Sequence, residues 1–310
     1  MPQQANLTTT TQVDPGVQVY YDRVLLKRAV PFLIFERFAQ TRNISRKSGD
    51  TIKFRRYASL SPATTPLSEG VTPPGSQASK TDLTARVKQF GDFLHLSDWV
   101  DLTVEDAVLT EFAELNGEQM GETRDTLCRD IIMACASTIT CGAQLDTAHL
   151  DAAIQALASG DAKMLTSMLR AGTGQGTVPI SPCYVGMGHT DLWSRLKDIT
   201  DWVPVREYSK PNEAMEGEWG SYQHIRFLLS SRGDKTEASP NNYDIPIVGK
   251  NAYAVTEIEG GAARNIVKAF GSGGTSDPLD QRGTSGWKMT YAARILNDNF
   301  MVKIDSARLE

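Results

Sequence analysis

The sequence predicts an α+β fold, and three features carry that prediction. The first is the C-terminal stretch 277–305. There two runs rich in aromatic and β-branched residues, 287–296 and 299–304, flank the turn-forming pair Asn297-Asp298. The second is a pair of alternating strands near 51–57 and 83–90, separated by a long polar stretch. The third is helical periodicity sustained between residues 104 and 141.

In chain order, residues 1–14 are polar and Thr-rich, a composition expected to order only against a partner. Asp14-Pro15 reads as a helix start, with Asp as cap and Pro in the first turn. Val17, Tyr20, Tyr21, Val24 and Leu25 follow at helical spacing, and Pro31 interrupts before the apolar run 32–38. A segment this apolar needs a surface, either its own core or a neighbouring subunit. In the second case Tyr20, Tyr21, Leu25, Phe32 and Phe35 are the expected subunit contacts.

Gly49-Asp50 then opens a strand in which Ile52 and Phe54 alternate with Lys53 and Arg55. Its expected mate places Leu83, Ala85 and Val87 on one face and Arg86 and Lys88 on the other. Residues 59–82 between them are Ser, Thr, Pro and Gly with almost no large apolar side chain, so they cannot form a core. A two-stranded arm with a mobile tip is the expectation, its cations Lys53, Arg55, Arg86 and Lys88 meeting acids on a neighbour, at Glu111, Glu114 or Glu118.

In the helical region Thr103 is a candidate cap, and Val104, Val108, Phe112, Leu115, Leu127, Ile131, Cys135 and Ile139 form an apolar stripe with Gly142 as a stop. Gly117 and Gly121 weaken its middle. Shorter elements follow. Helices are expected at 149–158, 162–169 and 191–196, strands at 184–187, 225–229, 245–248 and 253–258, and loops at 172–177, 213–222, 231–242 and 271–276. In the last run Trp287, Met289, Tyr291 and Ala293 share one face, and a second strand with Phe300, Val302 and Ile304 is expected to pair back in a hairpin. Such a ribbon cannot stand alone and must complete a sheet begun earlier.

The composition is that of a folded globular chain: 40% apolar, 22% charged and a net charge of −5. That balance gives no basic surface for nucleic-acid binding, though it is compatible with enclosing nucleic acid. Cys128, Cys135, Cys141 and Cys183 form no CxxC pair and are expected to be reduced thiols, in keeping with assembly in a reducing cytoplasm. The N-terminus lacks the basic and apolar regions of a signal peptide, and no apolar run is long enough to span a bilayer.

No chemistry-bearing constellation emerges. Val178-Pro179 follows the loop GTGQGT where a phosphate-binding loop needs a helix. His95, His149, His189 and His224 have no metal spacing, and His189 with Asp191 reads as a structural pair. Ser285 is not in a nucleophile elbow, and Glu105, Asp106, Glu111 and Glu114 read as a solvated helix face. Arg232-Gly233-Asp234 matches an adhesion tripeptide, but its residues are those of a polar turn. The expectation is therefore no catalytic, cofactor-binding or metal residues, and a protein built around subunit contacts.

The segment 13–40 resembles the N-terminal arm of the tailed-phage major capsid proteins of the Hong Kong 97-type fold, the family typified by the coat protein of N4-like podophages. GDTIKFRRYASLSP through LTARVKQFGDFLHLSDWVDLT resembles their extended loop, TVEDAVLTEFAELNGEQMGETRDTLCRDIIM their spine helix, and YDIPIVGKNAYAVTEIEG with the C-terminal stretch their returning strands. The resemblance implies a division into an arm at 1–48, an extended hairpin loop at 49–98 and a spine helix of a peripheral domain at 99–144. An axial α/β domain at 145–244 and returning strands at 245–310 complete it. It implies a structural protein without catalytic residues, forming hexamers and pentamers of an icosahedral shell around packaged double-stranded DNA. Portal, scaffold and decoration proteins are the implied partners, and the virion, assembled in the host cytoplasm, the implied location. Other readings are a nanocompartment shell enclosing enzyme cargo and a soluble enzyme with an unrecognised site.

Overall fold

The computed structural model describes residues 34–67, 69–70, 72, 75–99, 108–165, 181–208, 214–237, 241–273 and 277–308. In chain order the elements are β1 (Gln40–Ile44), β2 (Thr51–Tyr57), β3 (Lys80–Arg86), β4 (Lys88–Ser97), α1 (Val108–Met133), β5 (Thr138–Thr140) and α2 (Thr147–Ser159). Then come β6 (Tyr184–His189), α3 (Trp193–Leu196), β7 (Trp202–Pro204), β8 (Glu218–Tyr222), β9 (Ile225–Ser230), β10 (Tyr243–Val248), β11 (Tyr253–Ile258), β12 (Arg264–Lys268), β13 (Arg282–Ile295) and β14 (Met301–Ala307).

Two sheets and a separate hairpin organise the chain. A seven-stranded sheet runs β5-β14-β10-β6-β9-β8-β7. Its central strands are apolar at nearly every position because both faces are covered. Tyr184, Phe227, Ile245, Ile247, Val302 and Ile304 feed a core with Leu150, Ala153 and Leu157 of α2. Their neighbours Val185, Leu228, Val248 and Met301 feed a second core with Cys128 and Ile132 of α1. A strand buried on both sides reads as a continuous apolar run, which is why 184–187, 225–229 and 245–248 were legible as strands. The second sheet, β1-β11-β13-β12 with β4 also on β13, closes over α1. Trp287, Met289 and Tyr291 pack there, the Trp287 indole donates to Gln119 Oε1 at 2.7 Å, and Asn116 Nδ2 donates to Ser285 Oγ at 3.0 Å.

Several expectations change. The C-terminal hairpin does not form. β13 pairs with β4, β11 and β12, whereas β14 pairs with β10 and β5 in the other sheet. Asn297 does mark a turn, its side chain accepting the Asn299 N–H at the start of a 3-10 turn, but the turn is a corner between sheets. Trp287, Met289 and Tyr291 do share one buried face, as expected. The helix ends at Met133, and Ile139 lies in β5, parallel to β14. Gly117 and Gly121 do not interrupt α1; both are buried, and packing outweighs their weak helix propensity. Within 162–169, residues 162–165 are not helical, and Leu165 bridges Cys183 instead. The loop expected at 213–222 contains β8, and β1, β7 and β12 were not anticipated. Thr103 and the loop 172–177 lie outside the described residues.

Gly286 sits where β13 passes Phe93 of β4, and a Cβ there would meet Phe93 Cβ at 2.6 Å and the Asp92 carbonyl at 2.7 Å. Gly286→Ala is therefore expected to cost about 1–3 kcal/mol. The check is a urea melt, and an unchanged midpoint would show that the two strands separate without strain.

Candidate functional site

Among the described residues, the extended hairpin is the part least accounted for by its own packing. β2 and β3 pair antiparallel from Thr51 opposite Arg86 to Tyr57 opposite Lys80, with Ile52 opposite Ala85 and Phe54 opposite Leu83. The ladder continues at both ends, Val87 N–H donating to the Asp50 carbonyl and Ala58 N–H to that of Ser79. Beyond Tyr57, every described residue up to Lys80 is exposed, including Leu60 and Leu67. The strands themselves border a cleft of about 800 Å³ in their own chain. Ile52, Phe54 and Leu83 line it on the hairpin side and Asp161, Asn251 and Phe300 on the body side.

The structure divides the four hairpin cations into two kinds. Arg55 pairs with Asp82 at 2.9 Å and Arg86 with Asp50 at 2.7 Å, both across the hairpin. These guanidinium groups hold the two carboxyls below the usual carboxylate range. Lys53 and Lys88 are exposed and make no ion pair among the described residues. Exposed pairs such as these contribute little to stability, so the two arginines hold their acids weakly.

Of the apolar contacts expected in the N-terminal segment, Tyr20, Tyr21, Leu25 and Phe32 lie outside the described residues. Phe35 requires a correction. It is 1% exposed within its own chain, packed with Cys128, Tyr253 and Tyr291. Its N–H donates to Asp125 Oδ1 at 2.9 Å, and its carbonyl accepts from the Tyr253 hydroxyl and from Cys128 Sγ. With both main-chain groups satisfied internally and the ring in the core, it offers nothing to a neighbour.

The polar clusters weighed in the sequence prove structural. His149 Nδ1 accepts the Asp146 N–H in the capping box of α2. His189 Nδ1 accepts the Asp191 N–H at 3.1 Å, capping the short turn that follows β6. Asp191 instead takes Lys235 Nζ at 3.0 Å and the Tyr243 hydroxyl at 2.9 Å; the Lys235 bond leads in drawing its carboxyl below the ordinary range. Arg232-Gly233-Asp234 is pinned to α1. Arg232 pairs with Glu122, its carbonyl accepts from Arg129 at 2.9 Å, and Gly233 leaves no room for a Cβ against the backbone of His189. All four thiols are free; burial pushes Cys183 up to about 11 and Cys128 well above the ordinary thiol value. Among the described residues no group of His, Cys, Asp or Glu is placed to hold a metal ion.

This fold, a body of two sheets sharing a long helix with a separate hairpin, is similar to those of solved phage capsid structures. The chain matches the capsid of Ralstonia phage GP4 with a TM-score of 0.68, 11% identity and 90% coverage of each chain. It matches the capsid of cyanophage P-SCSP1u at 0.62 with 13% identity and 89% coverage of each, and the head of Helicobacter pylori bacteriophage KHP40 at 0.61 with 12% identity and 88% coverage of each. No protein-family model and no curated protein matches the chain.

Proposed function

We propose that this chain is a tailed-phage major capsid protein of the Hong Kong 97 type, akin to the N4-like coat proteins. In this reading it associates with copies of itself, as hexamers and pentamers, into an icosahedral shell enclosing double-stranded DNA. Residues 49–98 serve as the extended loop, 99–144 contain the spine helix of the peripheral domain, and 145–244 form the axial domain. Residues 1–48 act as an arm whose first part reaches neighbours through Tyr20, Tyr21, Leu25 and Phe32, and 245–310 return to complete both domains. Portal, scaffold and decoration proteins are the further partners, and assembly takes place in the host cytoplasm. What supports the reading is a capsid-like fold along nearly the whole chain, in a protein whose hairpin tip has no core of its own. Permanent interfaces typically bury about 2,000 Å² or more, and an exposed tip that presents Leu60 and Leu67 is suited to contribute to one.

Electron microscopy of the purified, overexpressed protein tests the proposal. Closed shells or capsomers are expected, and a protein that stays monomeric at every salt concentration and with scaffold present would overturn it. Lys53, Arg55, Arg86 and Lys88 are proposed to face acidic groups of a neighbouring copy. Reversing two of them together, Arg55→Glu with Lys88→Glu, is expected to reduce shell yield in sedimentation while leaving the melting of isolated subunits nearly unchanged. A double variant that assembles like the parent would remove these residues from the contact.

A further inference from the structure

The root of the N-terminal segment is held by a buried carboxylate that makes no ion pair among the described residues. Residues 34–39 lie against α1, where Asp125 Oδ1 accepts the backbone N–H groups of Ile34 at 3.0 Å and Phe35 at 2.9 Å. Asp125 is 1% exposed, and its other oxygen, Oδ2, has no hydrogen-bond partner. The neighbouring cations are engaged elsewhere. Arg124 is bound by Glu36 and Glu257, and Arg129 by Asp130 at 3.1 Å and Asp234 at 3.9 Å. Among the described residues Asp125 itself makes no ion pair.

We propose that Asp125 is a proton-binding latch: a proton on Oδ2 tightens the docking of residues 34–39 on α1, and its loss loosens it. This goes beyond the shell-forming reading and does not depend on it. The proton has a place to sit, because Oδ2 is the unused oxygen and Oδ1 keeps both N–H bonds when Oδ2 is protonated. Protonation also removes a charge that burial makes costly.

Burial is the leading influence on this carboxyl and outweighs the two N–H donors, which favour the anion. With Glu36 adding repulsion and Arg129 a lesser attraction, Asp125 is pushed up from 3.8 to about 6. If the segment lifts away, water reaches the carboxyl and its pKa falls back toward 3.8. The docked state therefore binds the proton more tightly than the undocked state. By linkage, docking strengthens as pH falls through about 6, levels off below about 3.8, and is weakest above about 6.

Among the described residues, the other titratable groups facing this point come from every element packed on it. They are Glu36 on the docked segment, Arg124, Cys128 and Arg129 on α1, Tyr253 and Glu257 on β11, and Tyr291 on β13. Burial pushes Cys128, Tyr253 and Tyr291 upward, so they stay neutral throughout the window. Glu36 and Glu257 are held by Arg124.

The test is hydrogen–deuterium exchange of the amides at 34–39 in the full chain, corrected for intrinsic rates. The opening constant is expected to be about tenfold smaller near pH 5 than near pH 7. Asp125→Asn, which keeps an acceptor and cannot titrate, is expected to abolish the change, and Glu36→Gln to retain it. A flat wild-type profile, or the same pH response in Asp125→Asn, overturns the proposal. Should Asp125→Asn fail to fold, the other two proteins decide. A wild-type midpoint near pH 6 that persists in Glu36→Gln supports the latch, and one that disappears in Glu36→Gln overturns it.

Discussion

Deleting residues 1–44 is expected to unfold the chain, and deleting residues 1–33 to leave its body folded. The longer deletion removes Phe35 and Ile44 from the core and strips β1 from β11, where it pairs in parallel from Gln40 opposite Ala254 to Ile44 opposite Ile258. Loss of a buried Phe side chain alone costs about 3–5 kcal/mol. Loss of the buried Ile44 side chain adds about 2–5 kcal/mol. Together these approach the total stability of a typical domain, about 5–15 kcal/mol. The shorter deletion ends before all of these contacts. Circular dichroism melts separate the outcomes, and a 1–44 deletion melting like the parent would show that residues 34–44 are dispensable to the core. Sedimentation of the 1–33 deletion then reads what that segment does for neighbours: a folded protein that no longer forms stable shells is expected.

Arg226→Met is the substitution expected to destabilise the body most. Arg226 on β9 reaches Glu218 on β8 at 3.3 Å, with side chains 9% and 0% exposed, and lies over the Tyr208 ring. Removing one partner of a buried pair leaves the other charge uncompensated and costs about 3–5 kcal/mol. Glu218 also accepts the Tyr208 hydroxyl at 2.6 Å and the Met215 N–H at 2.7 Å. Adding Glu218→Gln is therefore expected to restore much of the loss, since the amide oxygen keeps an acceptor and carries no charge. Denaturant melts of the four proteins of this double-mutant cycle give the coupling. A single variant as stable as the parent would mean that water reaches Glu218.

Part of the candidate contact surface was readable from residue types alone. The alternation of Ile52 and Phe54 with Lys53 and Arg55, and the Ser/Thr/Pro/Gly stretch after Tyr57, specify two strands with a tip that has no core. The pairing of Arg55 with Asp82 and Arg86 with Asp50 was not anticipated, although the strand register sets Arg55 opposite Asp82. Asp125 gave no local signal. Its environment is made by Ile34 and Phe35, about ninety residues earlier in the chain.

The sequence by itself determined where five of the strands and the turn at Asn297 lie, because alternation, continuous apolar runs and turn residues act over a few positions. The strands expected at 51–57, 184–187, 225–229, 245–248 and 253–258 are found as β2, β6, β9, β10 and β11. The tertiary structure alone decided which strands pair and which apolar residues face inward. Asn297 makes the chain turn, but the turn serves a hairpin and a corner between sheets equally well. The corner wins because Met301 and Val302 are buried in opposite cores of the seven-stranded sheet, a gain that exists only after α1, α2 and β10 are in place. The same holds for Phe35. Its apolar ring required burial, and only the fold brought α1, β11 and β13 around it.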